Sequence, residues 1–155
     1  MSEYPEQVMN PKASWPLFVA ELQEEILPLY LSHEQTFDSW SIHGRMHICR
    51  CVLFAEFMSR YYYRQTSHTP NVDWVRYAIA FHDSGRQGNG ADIWEHDSAR
   101  RCRIYLEKIN PRNDAASIAG LIPHDGAEPW TLEKRIVHDA DVLDIMRPYC
   151  APFLW

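Results

Sequence analysis

Trp74-Val75-Arg76-Tyr77-Ala78-Ile79-Ala80-Phe81-His82-Asp83-Ser84-Gly85-Arg86 decides how this chain is read. An apolar helical run ends in a His-Asp pair and then in a glycine. Val75, Ile79 and His82 recur at helical spacing along one stripe, so His82 points where a core should be. Asp83 is turned about 100° from it. An imidazole and a carboxylate buried together need hydrogen bonds or a cation to offset their lost hydration. A divalent metal would satisfy both.

Working outward, the spacing predicts helices on either side. Ser14-Trp15-Pro16 reads as a capped start with proline in the first turn, continuing to Leu27, with Pro28 expected to kink or end it. Asp38 to Ser41 offers caps for a helix whose apolar stripe is His47, Cys51, Phe54, Met58 and Tyr62. His43 shares a face with His47. The central helix is expected to be capped by Asn71 or Asp73. Asp92-Ile93-Trp94-Glu95 has capping-box spacing and opens a helix to about Ile109, with Glu95, Ala99, Cys102, Leu106 and Ile109 inward. A short helix covers 115–122. Thr131 caps the last one, expected to run to about Met146 with Val137, Asp141 and Ile145 on one stripe. No segment alternates convincingly as a strand. The fold class is therefore all-α, a bundle of about six helices. Residues 1–13, with Pro5 and Pro11, read as a loose arm, and 14–155 as one domain.

Composition narrows the function. With 15 Lys and Arg against 21 Asp and Glu, the net charge of −6 disfavours a broad nucleic-acid footprint and leaves room for a small phosphorylated ligand at a local arginine. No apolar run is long enough to span a membrane, and the acidic start Met1 to Glu6 lacks a signal core, so a cytoplasmic location is the expectation. Cys49, Cys51, Cys102 and Cys150 form no C-x-x-C pair and read as reduced thiols. Tyr61-Tyr62-Tyr63 and the tail Pro152 to Trp155 are candidates for a contact between copies in a homo-oligomer.

Separate helices thus present His47, His82-Asp83, Glu95-His96 and Asp141 inward, with His124 at another helix end. Imidazoles and carboxylates together suit Mn, Fe, Co, Ni or Zn. The order His47, His82-Asp83, Asp141 resembles the H…HD…D signature of the HD-domain metal-dependent phosphohydrolases. His47-Ile48-Cys49-Arg50, Ala80-Phe81-His82-Asp83-Ser84, Glu95-His96, His124-Asp125-Gly126 and Asp139-Ala140-Asp141-Val142-Leu143-Asp144 resemble local motifs of that superfamily over residues 40–147. Val142 stands where the pattern has arginine, and Cys51 where it has valine.

The resemblance implies a metal on His47, His82, Asp83 and Asp141, and hydrolysis of a nucleotide or another small phosphate ester. His47 is preferred over His43 because Arg50 follows it and because it lies on the apolar stripe; His43 falls at the rim. Glu95 or Asp83 is expected to move protons and Arg86 to grip phosphate. His96 and His124 are expected to touch substrate or a second ion. Two other readings carry the same residues: an HD-type di-iron oxygenase with His96 and His124 as ligands, and a non-catalytic module that holds metal or nucleotide.

Overall fold

The chain's computed structural model describes residues 15–37, 42–66, 68–88, 90–91, 93–109, 114–125 and 129–150. The expected arm at 1–13, the caps at 38–41, the capping-box Asp92 and the tail at 152–155 lie outside the described residues.

Among the described residues the architecture is all-α, with six helical segments. The first is continuous from residue 15 to 36 but changes its winding: α1 (Trp15–Glu21) opens into a π-helical turn at Leu22–Ile26, tightens to 3-10 at Leu27–Tyr30 and ends as α2 (Leu31–Thr36). Pro28 was expected to kink or end this helix, and the regular α-winding does break around it, because proline donates no N–H and its ring crowds the carbonyl four residues back. A wide turn followed by a tight one absorbs both faults.

The other segments are α3 (Arg45–Gln65), α4 (Val72–Phe81), α5 (Glu95–Ile109), α6 (Ala115–Ala119) and α7 (Leu132–Cys150). The α3 cap differs from the expected one. Gly44 is the N-cap residue and offers no side-chain bond. Glu34 of α2 accepts from the Arg45 backbone N–H at 2.6 Å instead. Asn71 caps α4 by accepting from the Trp74 N–H, and Thr131 does the same for the Lys134 N–H at 3.3 Å.

α4 is the hub. Val75 and the run Tyr77 to Phe81 are all buried, so this helix is apolar nearly all round. It packs against α3, α5, α6 and α7. Its one buried cation, Arg76, pairs with Glu56 at 2.9 Å and Asp73 at 3.3 Å, and lies over the Trp15 ring, joining three elements. α3 and α7 run antiparallel: Glu133 at the start of α7 accepts from the Asn71 N–H, while Asp144, three turns on, meets His47 near the start of α3.

The α7 stripe is rotated from the expected one. Ile136, Val137, Ala140 and Asp144 are buried, whereas Ile145 is 39% exposed. Past α4 the backbone turns through Ser84 and Gly85. A Cβ at Gly85 would sit 2.6 Å from the Ser98 backbone nitrogen, so only glycine lets α5 come this close. The Gly85 N–H donates to Ser98 Oγ at 2.9 Å across the same contact.

Candidate metal centre

Three elements meet at one point. The bend before α3 and its first turn bring His43 and His47, the end of α4 brings His82 and Asp83, and α7 brings Asp141 and Asp144. His47 is fully buried. Its Nδ1 donates to Asp144 Oδ2 at 2.8 Å. His82 Nδ1 donates to the Ile79 carbonyl at 2.7 Å. A carbonyl and a carboxylate only accept, so each ring carries its proton on Nδ1 and its lone pair on Nε2. Yet the two Nε2 atoms face each other at 3.2 Å. Asp141 Oδ1 lies 3.2 Å from the first and 3.5 Å from the second. That oxygen is buried and accepts no hydrogen bond among the described residues.

Two lone pairs and an anionic oxygen at this separation require something positive between them. A proton is one solution. Burial opposes charge on His82, but Asp83, Asp141 and the Ile79 carbonyl outweigh it and push its pKa up to about 10. A divalent cation is the other. Metal–nitrogen and metal–oxygen bonds of about 2.0–2.2 Å place neighbouring ligand atoms about 2.9–3.5 Å apart, from octahedral to tetrahedral angles. The three distances here fall in that range.

Asp83 borders the group, with Oδ2 3.6 Å from each Nε2. His43 Nδ1 donates to the same oxygen at 3.0 Å, and Arg86 Nε donates to Oδ1 at 3.2 Å. Burial alone would raise the Asp83 carboxyl; His82, His43 and Arg86 together hold it well below the usual carboxylate range. Asp141 is likewise held low against its burial by the two imidazoles.

Cys51 also lies close, with its sulfur 3.5 Å from both ring nitrogens of His47. Its sulfur falls with the His47, His82 and Asp141 atoms in one group of possible ligand atoms, and burial and the nearby carboxylates push its thiol pKa well up.

Asp144 is the residue of the cluster that inward patterning missed. It accepts from His47 and, at 2.6 and 2.9 Å, from Arg50, in the fork geometry of a guanidinium–carboxylate pair. A carboxylate behind a metal-facing imidazole is the usual device for fixing its tautomer. Its spacing of seven from Val137 was the available signal.

The remaining sequence candidates separate. Arg86 was expected to meet phosphate. Its side chain is 4% exposed. It is spent on Asp83, on the Gly88 and Gly90 carbonyls at 3.3 Å, and over the Trp94 ring. His96 is 75% exposed and pairs with Asp125 at 2.9 Å, so the structure does not bring it to the cluster. Glu95 and His124 form a dyad of their own: Glu95 accepts from the His124 backbone N–H at 2.8 Å and from His124 Nδ1. His124 contacts the His138 ring at 4.9 Å, and His138 precedes Asp141 by three residues on α7. The dyad therefore meets α7 at His138. Neither histidine supplies an atom to the His47–His82–Asp141 group, as the di-iron reading required.

A family model described as the SidE phosphodiesterase (PDE) domain matches residues 4–153. The match covers nearly the whole chain, and the chain belongs to that family. This corrects the HD-domain resemblance drawn from the H…HD…D order: four residues in helical context suit more than one family of helical site, and the whole-chain match is to another one. No significant match appears among curated proteins or among solved structures. No helix among the described residues is long and apolar enough to cross a membrane.

Proposed function

We propose that this member of the SidE phosphodiesterase domain family cleaves a small, nucleotide-like phosphodiester at a single divalent metal held by His47, His82 and Asp141, with Asp83 beside it. The observation that carries the reading is the facing pair of Nε2 lone pairs, 3.2 Å apart, with the hydrogen-bond-free Asp141 Oδ1 against both. Zn, Mn, Fe, Co and Ni suit these donors. A bound ion of this kind polarises a phosphoryl oxygen and lowers the pKa of a water bound to it.

The chain's own residues supply the rest. His43 donates through Nδ1 to Asp83, which puts its lone pair on Nε2, and its side chain is 17% exposed at the rim. From there it takes the proton of the attacking water as the new O–P bond forms and returns it to the alcohol oxygen as the old P–O bond breaks. The Glu95–His124 dyad, which reaches α7 at His138, is a second proton carrier. Asp83 has one oxygen on His43 and the other on Arg86, which argues against its bridging a second ion. Arg86 thereby acts through Asp83 and the turn. The net charge of −6 supports a small substrate over a polyanion.

Metal content and p-nitrophenol release from bis(p-nitrophenyl) phosphate test the reading in His82→Ala and Asp141→Ala. Both are expected to lose the ion and the activity while keeping their helix content. Full metal occupancy in either variant would overturn the ligand assignment.

The Asp83–His43 pair supports a second reading, in which His43 Nε2 itself attacks phosphorus, the P–O ester bond breaks and water later cleaves the P–N bond. An acid-labile phosphoryl group trapped on His43 in active, metal-free protein would favour it.

A further inference from the structure

We propose that the outer face of α3 is a docking surface for an acidic amphipathic helix of a partner protein. α3 is apolar on two sides. Its inner side buries His47, Ile48, Cys51, Val52 and Ala55 in the bundle. Its outer side carries Met46, Leu53, Phe57 and Tyr61, which are 54–69% exposed. At helical phase these four share one stripe, about 80° wide and about 22 Å long, opposite the inner side. A helix that is apolar all round is normally covered all round, and α3 is covered on one side. Leu53, Phe57 and Tyr61, with half-buried Cys49, also form an unbroken row at steps of four. Such a row is the ridge that seats in the groove of a second helix.

The charge along the stripe selects the partner. The charged residues among those that α3 exposes are Arg45, Arg60 and Arg64, and none is acidic. Arg45 and Arg60 do have carboxylate partners, but these lie beneath the surface. The Arg45 side chain is 46% exposed against 15% for Glu34, and Arg60 is 56% exposed against 11% for Glu56. Glu56 is also shared with buried Arg76. Half-buried Arg50 repeats the arrangement with buried Asp144. Guanidinium groups therefore face water while their carboxylates face the bundle, and the outer face is cationic in a chain of net charge −6. A second copy docked on this face would set arginines against arginines. An anionic bilayer would repel the rest of the chain. A helix with apolar side chains on one face and Asp or Glu at its flanks meets both demands: it covers the Leu53–Phe57–Tyr61 row and offers carboxylates to the guanidinium forks.

Fluorescence anisotropy of two dye-labelled peptides titrated with the full chain tests the proposal. Each peptide is about five helical turns long with leucines along one face; one carries glutamate at its remaining positions and the other lysine. The glutamate peptide is expected to bind saturably at one site, at least about tenfold tighter than the lysine peptide, a gap equivalent to about 1.4 kcal/mol. Phe57→Ala is expected to weaken it about tenfold, as for an aromatic anchor. Arg64→Glu is expected to weaken it about two- to fivefold, as for an exposed ion pair, and to tighten the lysine peptide. Both side chains are exposed, so both variants should keep the parent melting temperature. Absence of saturable glutamate-peptide binding below millimolar concentration would overturn the proposal. So would equal binding of the two peptides, or affinity unmoved by both substitutions in folded protein. Self-association of the parent in sedimentation velocity that Phe57→Ala abolishes would overturn it in favour of a second copy. Binding to phosphatidylserine vesicles without peptide binding would overturn it in favour of a bilayer. Phosphodiesterase activity does not enter this readout, so the docking face stands or falls independently of the metal centre.

Discussion

Replacing Asp144 with alanine separates support of the centre from coordination within it. The substitution removes three hydrogen bonds: the one from His47 Nδ1 at 2.8 Å and the two from Arg50 at 2.6 and 2.9 Å. His47 is fully buried. Its stranded N–H then costs about 1–3 kcal/mol. The Arg50 side chain is 27% exposed and can turn to water, so its share is held to about 1 kcal/mol by solvent screening. The sum is about 2–4 kcal/mol of the roughly 5–15 kcal/mol that holds a domain together. For a chain of this size that lowers Tm by roughly 5–12 °C. The loss of the group that fixes the His47 tautomer should also weaken metal binding about 10–100-fold. Asp144→Asn keeps one acceptor and should fall between parent and alanine. Thermal melts in chelator read the first effect, and competition with a chromogenic chelator reads the second. A lowered Tm with unchanged metal affinity would refute the claim that Asp144 orients a ligand and leave it as a structural partner of Arg50.

Three further outcomes follow from the same geometry. Arg86→Ala strands Asp83 Oδ1 and removes a donor from the Gly88 and Gly90 carbonyls. It should cost about 3–5 kcal/mol in urea denaturation; a loss of turnover with stability unchanged would instead mark Arg86 as a substrate contact. His96→Ala removes a 75%-exposed imidazole and should leave Tm within about 0.5 kcal/mol equivalent and kcat/KM unchanged; a large fall in kcat/KM would restore His96 to the site. The third concerns pH: His82 in the metal-free protein titrates at about 10, above its ordinary 6.5. Because the folded-state pKa is the higher one, its proton stabilises fully below about 6.5, and that stability is lost as pH rises through about 10. Tm in chelator should therefore fall over that window more than Tm with metal bound, and parallel profiles would contradict the paired-lone-pair arrangement.

The helices were legible because apolar residues at helical spacing mark buried faces whatever the tertiary partners are. α4 shows this best: its all-round apolarity already made it the hub. Pro28 marked the interruption, but sequence rules give the cost of a proline and not the rewinding that absorbs it. The rotation of α7 was hidden for a related reason. Asp141 and Asp144 are both compatible with an inward stripe, and only the Arg50 guanidinium and the His47 ring, distant in sequence, draw Asp144 inside. In the cluster, His47, His82 and Asp141 fall on inward helical phases and Asp83 follows His82, so the residues that meet could be picked out from the sequence. Their tautomers could not, since the Ile79 carbonyl and Asp144 that set them become neighbours only in the fold. Arg86 looked like a phosphate ligand for want of any sign that the following turn would fold its carbonyls back over it. The family was misread because a short ordered motif carries less information than the match across residues 4–153.

The most direct test of the central claim is p-nitrophenol release from bis(p-nitrophenyl) phosphate by the purified chain, measured as one metal equivalent is removed by chelation and then restored. With His47, His82 and Asp141 holding a single ion, turnover should vanish with the metal and return in full at one equivalent per chain. Undiminished turnover by protein verified as metal-free would contradict the claim and transfer the chemistry to the His43–Asp83 pair.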